Sequence, residues 1–374
     1  MIIAVNTKHL SVNDPEGRGE FIFECFSRLA LQYSQHQFIF IFDKAYDKKF
    51  ITSSNIIPVI TGPQAVSPLH WQYWYNYKVP ALLKKYKADV FISMDGICSL
   101  RTKVPQCLFL HDLGFVYHPV FFAKSHLRFY KKFTPKFLAK AKTIAVISES
   151  LEKDIINRYK IDPVKVELVY RSMGDIFKPV NEKEKEAIKE KFAEGKEYFL
   201  YSGSIAPARN LLNLLKAFSF FKKWQKSNMQ LLIAGQAVGG YKQFAEDLRT
   251  FKFRNDVKLL GGLSKNELAN ITAAAYAMVS PVLLEDHRSP MLEAMQCGVP
   301  VISCNTHSLP GSCAAAVLQS DPQDIKDIAH KMMLLFKDES KRNELVGAGK
   351  LAIQGFTADK TAALLWKVIS KTIQ

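Results

Sequence analysis

Short runs of consecutive apolar residues alternate with amphipathic stretches almost from one end of the chain to the other. In the first half, runs over 2–5, 38–42, 56–60, 90–93, 107–110, 143–147 and 167–170 predict strands, and 20–33, 75–86 and 150–159 predict helices. In the second half the predicted strands are 198–201, 230–234, 257–260, 277–280 and 299–303, with helices over 211–224, 264–275 and 290–297. The strand runs are apolar at successive positions, not at every second one, so they belong to parallel sheets covered on both faces. Right-handed crossovers then give doubly wound α/β domains. The pattern breaks near 177–195, where Asn181-Glu-Lys-Glu-Lys-Glu-Ala-Ile-Lys-Glu190 predicts a solvated helix opening a second domain. The expected organisation is an N-terminal domain over 1–177, a second over 178–355, and a helix in 356–374 returning to the first. Two such domains place ligands at strand carboxyl ends facing a central cleft.

Length and composition narrow the class. At about 150 residues per domain, 374 residues make two or three domains. With 48% hydrophobic and 23% charged residues the chain is an ordinary globular one, which excludes disorder. No window approaches about 18 consecutive uncharged apolar residues, so no spanning helix is expected. The opening Met1-Ile-Ile-Ala-Val-Asn6 reads as a buried strand and not as a secretion signal, and the expected location is cytoplasmic. The 6 cysteines are scattered without a CxxC pair, which predicts reduced thiols and no metal centre.

Four segments carry candidate chemistry. In Pro281-Val-Leu-Leu-Glu-Asp-His-Arg-Ser-Pro-Met-Leu-Glu-Ala-Met-Gln-Cys-Gly-Val-Pro300 a strand gives way to a loop, Ser289-Pro290 starts a helix, and Gly298 ends it. Glu285 then sits beyond a strand end and Glu293 in the first helical turn, so the two carboxylates can converge on one polyhydroxylated ligand. Glu293 also has the simpler role of offsetting the helix dipole. Tyr201-Ser-Gly-Ser-Ile-Ala-Pro-Ala-Arg-Asn-Leu-Leu212 is a strand, a small-residue turn and a helix. Gly203 and Ser204 let backbone approach a phosphate, with Arg209 near the helix start, although such turns are common in α/β proteins. Leu108-Phe-Leu-His-Asp-Leu-Gly114 ends a buried strand in His111, which can hydrogen-bond a sugar hydroxyl or serve as a packing residue. Glu16-Gly-Arg-Gly-Glu20 supplies the loop Gly17, Arg18 and Gly19 after the first strand, without a full dinucleotide fingerprint.

As an ordered set, these segments resemble the retaining nucleotide-sugar glycosyltransferases of the GT-B fold, family 4, group 1. Further matching pieces are Leu232-Ile-Ala-Gly235, Leu260-Gly-Gly-Leu-Ser264 with Glu267, Asn305-Thr with Ser308-Leu-Pro310, and Ile147-Ser-Glu-Ser150. The resemblance implies an α/β GT-B protein moving a mannose- or glucose-type hexose from a nucleoside diphosphate sugar to a glycan or lipid-linked acceptor, in cell-surface polysaccharide synthesis. It implies that Glu293 binds the donor ribose and Glu285 a sugar hydroxyl. Arg209 faces the diphosphate, His111 lies near the reacting carbon, and Gly17–Gly19 border the acceptor and phosphates. The donor site would also take in Arg288, Ser289, Met291 and Leu292. No cofactor and no metal are implied, because cationic side chains and helix N-termini neutralise the departing diphosphate.

The chain departs from the family pattern at three places. Ala208 stands where the family has an Arg, Asp286-His-Arg-Ser289 replaces Gly-Phe-Gly-Leu between the two glutamates, and Arg171-Ser172 replaces Asn-Gly. Arg288 and Arg171 are candidate replacements for the missing cation, and the loss of two glycines restricts the loop's backbone. A silent GT-B protein that binds membrane or polyanion, or a nucleotide-sugar epimerase, are the alternatives. The retained Glu285, Glu293, Arg209 and His111 favour an active transferase.

Charge adds a partner. The chain has 51 Lys and Arg against 35 Asp and Glu, a net +16. From Leu113 to Ser148 there is no acidic residue, and Lys124, Arg128, Lys131, Lys132, Lys136, Lys140 and Lys142 interleave with aromatic residues. Such a segment suits an anionic membrane surface, at about 1 kcal/mol per contacting cation, so peripheral association with the inner face is expected. Equally, the aromatics at helical spacing can be core and the lysines a solvated face. A nucleic-acid role is not expected, since the charge comes without a recognition motif.

Overall fold

The computed structural model describes residues 1–10, 18–170, 175–238, 243–283, 290–304 and 311–374, with 18, 311 and 312 described in their backbone alone. The chain forms two units, Met1–Ser172 with Phe356–Gln374, and Met173–Gly355. Glu285, Asp286, His287, Arg288 and Ser289, Gly17, the Arg18 side chain, and Arg171 with Ser172 lie outside the described residues.

In the first unit the strands are β1 (Ile2–Asn6), β2 (Gln37–Phe42), β3 (Ile56–Ile60), β4 (Val90–Ser93), β5 (Gln106–Leu110), β6 (Thr143–Val146) and β7 (Val166–Leu168). They form one parallel sheet in the order β3-β2-β1-β4-β5-β6-β7. Every residue of β4, β5 and β6 is buried, as expected of strands apolar at consecutive positions and covered on both faces. One face packs on Trp74, Val79, Leu83, Phe129 and Phe137. The other packs on Phe21, Phe26, Leu29 and the C-terminal helix Ala358–Ile373, through Leu365 and Ile369. That helix is fixed further by Trp366 stacking on Tyr33 at 3.6 Å and by Thr361 donating to the Tyr170 carbonyl at 3.0 Å.

Two local features differ from the sequence expectation. The helix expected over 75–86 begins earlier, as Pro68–Tyr73, widens into a π-helical turn over Trp74–Lys78, and continues as Val79–Lys85. Pro80 has no N–H to give the preceding turn, and a wider turn accommodates that loss. The basic segment forms the helix Lys124–Lys140, in which Phe129, Phe137 and Leu138 are buried while Lys124, Arg128, Lys131, Lys132, Lys136 and Lys140 are exposed. Its aromatic residues are therefore largely core, and its cations form an exposed face.

The second unit contains β8 (Tyr198–Ser202), β9 (Gln230–Ala234), β10 (Val257–Gly261), β11 (Ala277–Ser280), β12 (Val301–Ser303) and β13 (Leu318–Gln319). These are parallel in the order β10-β9-β8-β11-β12-β13. The helix Leu211–Gln225 packs Leu214, Phe218 and Phe221 against Ile328, Met332 and Leu335 on the same face of the sheet. The Lys/Glu-rich stretch forms the largely exposed helix Glu182–Ala193, opened by a capping box between Asn181 and Glu184. The two-residue strand β13, absent from the sequence reading, is too short to carry a hydrophobic pattern.

Both sheets reverse their winding at one place, between β1 and β4 in the first unit and between β8 and β11 in the second. In open α/β sheets the crevice outside the strand carboxyl ends at such a switch point is where ligands bind.

Candidate functional site

At the switch point of the second unit the site is built from backbone. β8 ends at Ser202, and Gly203 follows with φ +148°, where a Cβ would lie 2.9 Å from the Tyr201 hydroxyl. The turn after β9 crosses it so closely that a Cβ on Gly235 would lie 1.7 Å from the Gly203 carbonyl oxygen. Only glycine permits that approach. The Gly203 N–H donates to the Ala234 carbonyl at 2.9 Å, and the Ile205 N–H to the Gln236 carbonyl at 2.8 Å. Ser204 is buried, and its carbonyl accepts from the Tyr201 hydroxyl at 2.8 Å. Arg209 is half-buried and donates from Nε to Ser204 Oγ at 3.1 Å, which orients its guanidinium fork.

Asn210 then opens the helix Leu211–Gln225 from a left-handed conformation, φ 57°. Its amide donates to the carbonyls of Pro281, at 3.1 Å, and Pro322, at 2.8 Å. The Leu283 N–H donates to the Ala208 carbonyl at 3.3 Å. The loop after β8 is thus sewn to the chain leaving β11, across the switch point. Glu293 lies in the first turn of the helix Pro290–Gln296, which follows β11, and is half-buried. Burial, together with the Glu293 carboxylate, pushes the neighbouring Cys297 thiol up to about 12, so that thiol is inert at physiological pH. Met291 and Leu292 are buried, at 0% and 4% exposure. Gly298 ends the helix at φ +73°.

The switch point of the first unit is built from charged side chains. Lys8 and His9 follow β1, and Asp95 follows β4. Lys8 and Asp95 form an ion pair with side chains 7% and 3% exposed, and His9 Nε2 lies 3.9 Å from the same carboxylate. Tyr75, placed by the π-helical turn, donates its hydroxyl to Asp95, and Asn6 donates to the Tyr75 oxygen at 2.6 Å. Ser93 donates to Asp95 at 3.1 Å. Burial works to raise the Asp95 carboxyl, but Lys8, His9 and the Tyr75 hydroxyl outweigh it and hold the group at about 2. Burial and the Asp95 charge push the Tyr75 hydroxyl far above its ordinary range.

His111, just beyond β5, has Nε2 at 2.9 Å from the Met94 carbonyl and packs its ring on Phe109. A carbonyl can only accept, so Nε2 carries a proton. Asp112 accepts the Gly114 N–H at 2.6 Å. Gly19 is the second residue of the helix Arg18–Gln32. Among the described residues no group of three His, Cys, Asp or Glu side chains is placed to hold a metal ion.

The second unit therefore brings Gly203, Ser204 and Arg209 into one turn, with Glu293 on the neighbouring strand's side of the switch point. Sequence reasoning missed Lys8, His9, Tyr75 and Asp95. The available signal was a charged residue shortly after each of the two central strands, a pattern that points to the switch point only once strand order is known.

Against this geometry the comparisons with known proteins are consistent. Residues 182–352 match the family described as glycosyl transferases group 1, and residues 29–173 match glycosyltransferase family 4. The chain belongs to the family 4, group 1 glycosyltransferases. It is 27% identical over 264 residues to the O-antigen chain mannosyltransferase RfbU of Salmonella typhimurium, covering 67% of this chain and 66% of that one. It is 25% identical over 253 residues to the O-antigen chain mannosyltransferase B of Escherichia coli, covering 66% and 65%. The matches thus span just under two thirds of these relatives' own length. In fold, this family member resembles Anabaena HepE, solved in complex with UDP-glucose, at a TM-score of 0.76, with 15% identity over 99% of both chains. Its two parallel sheets are those of the GT-B fold.

Proposed function

We propose that this glycosyltransferase moves a hexose of the mannose or glucose type from a nucleoside diphosphate sugar to a glycan or lipid-linked acceptor during cell-surface polysaccharide synthesis. The observation that carries this reading is the switch point of the second unit, where Arg209 and the glycine-permitted turn at Gly203 stand beside the helix bearing Glu293. Backbone that close leaves room for a diphosphate, and Arg209, oriented by Ser204, matches phosphate oxygens with a planar fork. Glu293, at a helix start, suits paired ribose hydroxyls. The two O-antigen mannosyltransferases support the choice of sugar and pathway class.

In this reading the hydroxyl of the acceptor attacks on the face that the diphosphate leaves, and the leaving phosphate oxygen assists in removing its proton, with retention at the anomeric carbon. Rate arises from positioning and from neutralising the departing charge. The chain's own cations do that work, and no metal is required. A thermal-shift series with GDP-, UDP-, ADP- and dTDP-sugars tests the reading, since a ligand of the native state raises the melting temperature. One of these raises it in the wild type, and Glu293→Ala weakens that ligand at least tenfold by calorimetry, about the loss of one hydrogen bond involving a charged group. No shift with any nucleotide sugar overturns it. Product analysis separates transfer from epimerisation, which would release nucleotide and free sugar without an acceptor.

A peripheral position on the inner membrane face is supported by the exposed basic face of the helix Lys124–Lys140 and by Val120 and Leu69, 84% and 79% exposed. Among the described residues no helix is long and apolar enough to cross a membrane. Reversing both Lys131 and Lys132 to Glu lowers binding to phosphatidylserine vesicles at least tenfold, at about 1 kcal/mol per contacting cation. Undiminished sedimentation with vesicles removes the membrane from the proposal.

A further inference from the structure

A groove of about 540 Å³ lies on the exposed side of the helix that begins at Pro68, lined among others by Leu69, Gln72, Tyr73, Asn76, Tyr77 and Arg101. Its far end stands at the opposite end of the sheet from the switch point. The Ser99 and Leu100 N–H groups donate to the side chains of Gln106 and Asn76, both at 2.9 Å. Gln106 is the first residue of β5, so Arg101 stands near the amino end of that strand. At about 30 Å³ per water the groove has room for about 18 waters, far more than one phosphate fills. We infer that it holds the headgroup of one anionic phospholipid, with the start of an acyl chain beside it. This rests on the proposed peripheral position at a membrane and adds a discrete lipid site to it.

The charge of the lining selects an anion. No carboxylate lines the groove, and 48–88 and 96–111, the two stretches that supply its residues, contain no Asp or Glu. Arg101 is exposed, has its guanidinium 4.3 Å from the Tyr77 ring centre and, among the described residues, forms no ion pair. A guanidinium lying on a ring keeps its N–H edge free, and that edge matches two phosphate oxygens. Asn76 accepts the Leu100 N–H on Oδ1 and donates from Nδ2 to Gln72 Oε1 at 3.0 Å. Gln72 Nε2 is thereby left as a buried donor without a partner, which a headgroup oxygen would satisfy.

The rest of the groove suits an apolar chain. Leu69, Tyr73 and Tyr77 are exposed, and the two tyrosine rings stack at 5.6 Å. A free phosphate covers none of them. Tyrosine, apolar in body and polar at its tip, suits the headgroup level of a bilayer. An acidic protein helix would bring several carboxylates, and Arg101 is the only Lys or Arg lining the groove to meet them. The helix Lys124–Lys140 is the groove's neighbour, since Trp71 packs on its His126 and Phe129, both at 5.1 Å, and both helices cover the same face of the sheet. Its exposed cations draw the protein to an anionic surface, and the groove takes one lipid from that surface.

Calorimetry on the whole protein with dihexanoyl phosphatidylglycerol, kept below its micelle concentration, tests this without a bilayer. The wild type binds one lipid per chain. Arg101→Ala weakens binding about tenfold or more, the loss of a charged hydrogen bond. Arg101→Lys weakens it about threefold, because an ammonium keeps the charge and loses the fork. Leu69→Asp, at an exposed position, weakens it about tenfold or more by placing a carboxylate opposite the phosphate. Dihexanoyl phosphatidylcholine, without net charge, and glycerol 3-phosphate, without chains, both bind more weakly than the anionic lipid. Reversing Lys131 and Lys132 to Glu leaves short-chain binding unchanged. Absence of saturable binding by the wild type, or binding that survives both Arg101→Ala and Leu69→Asp, overturns the site. So does glycerol 3-phosphate binding as tightly as the lipid, which makes it a soluble-phosphate site, or displacement of the lipid by a helical peptide rich in Glu and Leu, which makes it a protein-docking face. If the short-chain lipid binds and vesicles do not, the peripheral reading fails and this site stands. If vesicles bind through Lys131 and Lys132 and the short-chain lipid does not, only this site falls.

Discussion

The two units share a strand order around the switch point and build that point in opposite ways. In the first, a buried ion pair between Lys8 and Asp95 is wrapped by Tyr75, Ser93 and Asn6. In the second, Gly203 and Gly235 let two turns touch, and Asn210 and Leu283 tie them to the chain leaving β11. One crevice is a fixed set of charges with a finite volume, and the other is backbone left open for something to lie against. In the proposed reading the second takes a diphosphate, which needs N–H groups and one well-aimed cation.

The sharpest way to break the comparison is Asp95→Asn. It leaves the Lys8 ammonium buried opposite a neutral amide, and breaking a buried pair from one side costs about 3–5 kcal/mol. Three of the four tryptophans, Trp71, Trp74 and Trp366, lie in the first unit, so a urea titration followed by fluorescence reports the loss. Replacing both partners, Lys8→Met with Asp95→Leu, returns most of it. The pair also sets an acid limit. The native carboxyl sits at about 2, below its ordinary unfolded value of about 3.9. Its stabilisation is therefore complete above about pH 4 and is lost as pH falls towards 2. Asp95→Asn removes this acid-sensitive component. An unchanged urea midpoint in that variant would mean that the pair holds nothing together.

Gly235→Ala attacks the other crevice. The added Cβ falls 1.7 Å from the Gly203 oxygen, so two backbone turns must separate, and we expect a cost of about 2–4 kcal/mol in the second unit. Gly261 is the control: its φ is +68° but a Cβ there meets open space, so Gly261→Ala shows strain alone, about 1 kcal/mol. Trp224 and calorimetry of the second unit separate the two effects, and equal costs would mean that the close crossing is unimportant.

The contrast also explains what could be read from the chain. Consecutive apolar runs marked nearly every strand, because parallel strands covered on both faces have no polar side to interrupt them. Gly203, Arg209 and Gly298 were legible because turns and helix ends require particular residues at fixed offsets from a strand. Lys8 and Asp95 were not. They are 87 residues apart in the chain and meet only because β1 and β4 are neighbours in the sheet, and no local spacing encodes that adjacency. Tyr75 escaped for a second reason. Its segment read as a regular helix, and the π-helical turn that aims its hydroxyl has no hydrophobic period of its own. The aromatic residues of 124–140 carried two readings at once, and packing on Trp71 and the sheet chose the core for Phe129 and Phe137.

The smallest effect sharpens the comparison most. Arg209 is half-buried, and its Nε–H reaches Ser204 on the same turn. Arg209 is only half-buried, so the melting temperature of Arg209→Ala is expected to stay near that of the wild type. What falls is donor affinity, by about 1.5–3 kcal/mol for the loss of a charged hydrogen bond, or about 10- to 150-fold. Arg209→Lys recovers only part, because one ammonium cannot hold Ser204 and a phosphate with the same planar geometry. The opposite pattern is expected at Asp95, where stability falls first and donor affinity is untouched. If Arg209→Ala instead unfolds the second unit while nucleotide still binds the folded fraction normally, then the turn after β8 is a structural clamp. The two switch points would then both be scaffolds, and the donor would have to be held by residues other than Arg209.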